Sequence, residues 1–126
     1  MGQTLIALGG TFVAAEAPTT GTAQIIQEDG HRYLVLDSAF STTDQAPDLH
    51  VILETAEVPP SSYTSFGSFV NLGGLQSTTG EQRYPIPDSL AFDLAEYKSV
   101  SIWCRTANAT MGYAVLGANT RGGAIR

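Results

Sequence analysis

One stretch constrains this chain more than any other: Tyr97-Lys98-Ser99-Val100-Ser101-Ile102-Trp103-Cys104-Arg105. Its alternation sends Val100, Ile102 and Cys104 to one face of a strand and Ser101, Trp103 and Arg105 to the other. The pattern predicts a core strand. The same stretch holds the single cysteine and the single tryptophan of the sequence, so a chemical hypothesis for the protein has to begin or end at Cys104.

The segments before it read as short strands separated by turns. Thr4–Leu8 and Gly10–Ala14 are β segments broken by Gly9-Gly10, the first being either an edge strand or a tail. Thr22–Gln27 and His31–Asp37 flank Asp29-Gly30, a dipeptide suited to the positive φ angles of a type I′ hairpin turn. In Asp48–Glu54, Leu49, Val51 and Leu53 share one face and His50, Ile52 and Glu54 the other. A long irregular segment from Val58 to Gly67 leads into Ser68–Leu72. Two prolines in Gln82–Pro87 forbid a central ladder position, which predicts an edge strand or an extended cover. Asp88–Glu96 is the one segment suited to a helical turn, and Thr110–Leu116 is the expected antiparallel partner of the Trp103-Cys104 strand. The expected fold is therefore all-β: an antiparallel β-sandwich or partly closed barrel of about eight strands with minimal helix. Residues 1–9 are set aside as an N-terminal strand or tail, 10–116 as the domain, and 117–126 as a Gly-rich C-terminal tail.

Composition narrows the function classes. A chain of 126 residues with 43% hydrophobic content is one domain with room for a core. The net charge of −6 and the dispersed arginines exclude the basic patch that a nucleic-acid partner requires. No apolar run approaches the ~20 residues of a membrane span, so no membrane insertion is expected. Thr4-Leu5-Ile6-Ala7-Leu8 is too short for a signal-peptide core and follows no basic residue.

The order of signals resembles the DM13 domain. A Gly-Thr-Phe opening is followed by Leu34-X-Leu36-Asp37-X-X-Phe40, then Pro47-Asp48-Leu49-His50-Val51-Ile52-Leu53 and Leu72-Gly73-X-Leu75. Gly80-X-Gln82-X-Tyr84-X-Ile86-Pro87 comes next, and Tyr97-X-Ser99-Val100-X-Ile102-Trp103-Cys104 and Tyr113-Ala114-X-Leu116 close the series. The sequence departs from the family pattern at Ala46, where glycine is common, and at His50, where an aromatic residue is common. The resemblance implies a β-sandwich-like module, often exported to the periplasm or cell surface, whose cysteine takes part in redox or electron transfer with a partner. That role maps onto Cys104.

Residue chemistry sets two readings of Cys104 side by side. As a neighbour of Val100 and Ile102 it is a small core thiol. As a redox thiol it needs exposure and a nearby cation, and Arg105 points to the opposite face. One thiol forms no disulfide within its own chain, so redox chemistry requires an external partner. The expected function is accordingly an accessory redox or electron-transfer domain acting through Cys104. The alternative is a non-catalytic binding or surface-interaction module with Cys104 as packing. Trp103 and His50 are secondary candidates for binding. His31, His50 and Cys104 match no short metal-ligand spacing, so no metal or cofactor is expected. Asp37 and Asp48 flank one loop and are expected to accept backbone N–H groups. No Gly-X-Ser-X-Gly elbow and no phosphate-cradling strand–helix junction occurs, which argues against a self-contained enzyme.

Overall fold

The computed structural model of the chain describes residues 4–59, 69–87 and 96–118. Within them nine strands form: β1 (Thr4–Ala14), β2 (Thr22–Glu28), β3 (His31–Leu36), β4 (Leu49–Glu54), β5 (Phe69–Gly74), β6 (Gln82–Ile86), β7 (Ser99–Cys104), β8 (Ala109–Val115) and β9 (Gly117–Ala118). All pair antiparallel, in the order β5-β4-β7-β8-β1-β2-β3-β6, with β9 lying on β1. The two ends of that order, β5 and β6, are consecutive in the chain. Residues between them fasten to both sides: Leu75 N–H donates to Leu49 O at 2.8 Å and Gly80 N–H to Phe40 O at 2.9 Å. The result is the nearly closed, barrel-like antiparallel sheet that the sequence pattern predicts.

β1 is the corner of this sheet. Its residues Thr4 to Thr11 pair with β2, and Phe12 to Ala14 pair with β8. The strand therefore runs unbroken through Gly9-Gly10, where a break was expected. A side chain at Gly10 would collide with the backbone carbonyl of Val115. The glycine serves close approach between β1 and the end of β8 rather than interruption.

Elsewhere the local rules hold. Asp29 and Gly30 both take positive φ, at 54° and 83°, and β2 pairs with β3 from Glu28↔His31 to Ala23↔Leu36. β6, with its prolines, pairs with β3 and ends the strand order. Leu34 and Leu36 of β3 point into the core with Ala23, Ile25, Phe40, Val51, Leu53, Val100 and Ile102. β7 lies between β4 and β8, and all six of its residues are buried. Of the expected features, most of the helical turn at 88–96, most of the irregular segment before β5, and residues 119–126 of the tail lie outside the described residues.

Candidate functional site

Cys104 is the last residue of β7, paired with Leu49 on one side and Ala109 on the other. Its inward alternation makes it part of the apolar core, and it is a free thiol with 0% exposure. Directly beyond it the chain enters a tight turn, in which Asn108 adopts a φ of 52° and its N–H donates to Arg105 O at 3.2 Å. The thiol is therefore fully buried, yet it stands at the end of its strand, directly before a short turn.

That turn is fastened to β4. Arg105 N–H donates to Asp48 O at 2.8 Å, and its guanidinium Nε donates to Asp48 Oδ2 at 2.9 Å. Thr106 adds a long contact to the same oxygen at 3.4 Å. The other carboxylate oxygen of Asp48 accepts from His50 Nε2 at 3.0 Å, and His50 Nδ1 lies 3.2 Å from Asn71 Oδ1 on β5. Arg105, Asp48, His50 and Asn71 thus form one polar chain across the turn, β4 and β5. Desolvation pushes the Asp48 carboxyl up, but the hydrogen bonds and charges of Arg105 and His50 together outweigh it and hold it below the usual carboxylate value.

Asp48 departs from its expected role. It binds side chains, whereas Asp37 does the backbone work: its Oδ1 accepts from Thr22 N–H at 3.1 Å and from Ala39 N–H at 3.2 Å. The difference follows from position. Asp48 stands two residues before His50, so both side chains emerge on the same side of one strand direction. That spacing was the available signal for the pair. Asn71 and Arg105 carried no comparable signal, because only the strand order brings them to it.

Trp103 lies on the opposite face of β7 from Cys104 and is only 4% exposed. Its indole N–H donates to Asn108 Oδ1 at 3.1 Å, and its ring stands 6.3 Å from His50 and 6.0 Å from Phe69, centroid to centroid. Neighbouring Ser101 is fully buried on this outer face, and its hydroxyl has no hydrogen-bond partner among the described residues. His31 opens β3, on the opposite side of the strand order from β4 and β7. His31, His50 and Cys104 are not brought together, and no metal-binding group of three or more His, Cys, Asp or Glu occurs among the described residues.

No curated protein and no solved structure is significantly similar to this chain. A family model described as electron transfer DM13 matches residues 11–116. That span runs from within β1 to just past β8 and includes the Trp103-Cys104 strand end and its clasp. The chain therefore belongs to the DM13 family, whose description supports a general role as an electron-transfer module.

Proposed function

We propose that this domain is an accessory electron-transfer module that works with an external redox partner, with Cys104 as its redox group. The observation supporting this is the location of the thiol: it ends β7 immediately before the Arg105–Asn108 turn, and on this reading the strand end opens locally to expose a sulfur that is buried in the folded domain. His50 and Trp103, on the outer face beside the same turn, would border an approaching partner.

The chemistry follows from one thiol. Cys104 loses its proton to solvent when uncovered, and its thiolate attacks a disulfide sulfur of the partner. A new S–S bond forms, the partner's own S–S bond breaks, and the departing partner sulfur leaves with the electron pair and takes up a proton. A second thiol then has to attack the mixed disulfide at the Cys104 sulfur. It releases the partner as a dithiol, so that two thiols together supply the two electrons.

Oxidised glutathione tests this. Incubation of the native domain should give a mixed disulfide on Cys104, detected by mass spectrometry, and none on Cys104→Ala. Absence of the adduct under native conditions, with ready formation in denaturant, would remove the thiol-exchange reading. One observation favours a second reading: Cys104 is wholly buried among apolar residues of the core. On that reading the domain is a non-catalytic binding module in which the sulfur only packs, and the adduct never forms in the folded state.

A further inference from the structure

We propose that His50 is a proton-dependent clasp, fastening the edge strand β5 to β4 only while its imidazole carries both ring protons. The inference is independent of any role for Cys104. It starts from the two acceptors that His50 faces. Nε2 lies 3.0 Å from a carboxylate oxygen of Asp48, an acceptor that has nothing to donate. Nδ1 lies 3.2 Å from Asn71 Oδ1, and that oxygen also accepts the N–H of Gly73 at 2.8 Å. The Gly73 contact settles which end of the Asn71 amide faces the ring, so a flipped amide that donates to Nδ1 is excluded. Two fixed acceptors on two ring nitrogens are satisfied by imidazolium alone.

The clasp sits beside an irregularity in the β4–β5 ladder. The register shifts between Val51 and Ile52, directly after His50, and Gly73 opposite takes a φ of 124°. β5 pairs with β4 and stands at the end of the strand order, so it has no second ladder among the described strands to hold it. Among the described residues the charged groups facing the imidazole are Asp48 directly and Arg105 through the other oxygen of Asp48. Glu54 lies further along the same strand, and the described side chains placed against the ring, Asn71 and Trp103, do not titrate. When one proton leaves, the carboxylate of Asp48 keeps its N–H, because a hydrogen bond to an ion is the stronger of the two. The lone pair then appears on Nδ1, against an oxygen that cannot turn away. Deprotonation thus loosens β5 and leaves the Asp48 contact in place.

Ring-nitrogen NMR of the full chain labelled with 15N-histidine tests this, with His31→Gln used to assign the two histidines. Below the His50 step both of its nitrogens should carry protons. As pH rises Nδ1 should deprotonate first, and amide protection at Asn71 and Gly73, corrected for intrinsic exchange, should fall about tenfold in the same step, the factor one charged hydrogen bond is worth. Asn71→Leu should move the step to lower pH and Asn71→Asp to higher. A proton-free Nδ1 with β5 still fully protected would overturn the proposal, as would protection that stays level through the His50 step. Should the Asn71 variants fail to fold, the wild-type titration alone decides.

Discussion

Asp48 and Arg105 extend the β4–β7 ladder one step beyond the Leu49–Cys104 pair, joined both through the backbone at 2.8 Å and through their side chains at 2.9 Å. The exposed part of this contact is worth little by itself, since Arg105 is 61% exposed and Asp48 29%. Its importance is positional. It closes the end of the β4–β7 ladder next to Cys104 and, through His50, connects that closure to the edge strand β5.

Replacing Cys104 separates packing from chemistry. Cys104→Ser places a hydroxyl without a provided partner in the apolar core and should cost about 1–3 kcal/mol in denaturant unfolding. Cys104→Ala leaves only a small void and should cost about 1 kcal/mol. A serine variant as stable as the native protein would show that the position is wetter than its burial indicates.

The stability contributed by Asp48 should have a defined pH dependence. Its folded-state carboxyl lies below the ordinary value of 3.8, so ionisation favours the folded chain. The contribution is complete above the unfolded value and is lost as pH falls through the lower folded one. Melting temperatures of the native protein and Asp48→Asn should therefore differ at neutral pH and converge in strong acid. A difference that persists unchanged in strong acid would assign the effect of the substitution to something other than charge.

Ser101 offers a substitution expected not to harm. Its hydroxyl is buried and unpartnered among the described residues, a state that costs about 1–3 kcal/mol relative to a satisfied group. Ser101→Ala removes the polar atom and should leave stability unchanged or raise it by about 1 kcal/mol. Marked destabilisation would reveal a partner for that oxygen, such as an ordered water.

The turn after Cys104 depends on Asn108, which supplies both a positive φ and an acceptor for the Trp103 indole. Asn108→Gly keeps the backbone conformation and loses the hydrogen bond, for a cost of about 1 kcal/mol. Asn108→Val adds the strain of a β-branched residue at positive φ and should cost about 1–3 kcal/mol more. Trp103 is the sole tryptophan, so its fluorescence reports on this turn directly. Emission should be blue-shifted and poorly quenched in the native protein and should move toward that of exposed indole in Asn108→Val.

Much of this arrangement is legible in the residues because strand rules are local. A period of two places Val100, Ile102 and Cys104 inside, Asp29-Gly30 makes a hairpin turn, and the prolines of β6 send it to the end of the sheet. The single thiol and its inward direction were likewise readable, and the stretch Tyr97–Arg105 proved to contain the most enclosed strand of the described chain. Two matters were not local. Gly9-Gly10 reads as a break in isolation, and only the approach of Val115 turns it into a passage within one long strand. Asp48, His50, Asn71 and Arg105 are separated along the sequence by up to 57 residues, and no periodicity connects them. Their meeting depends on strand order and register, which are decided when the whole sheet closes on one core. The sequence by itself thus determined the strands and the inward thiol, because alternation and turn chemistry act between near neighbours. The tertiary structure alone decided which residues fasten the strand end beyond that thiol, because pairing joins residues that are remote along the chain.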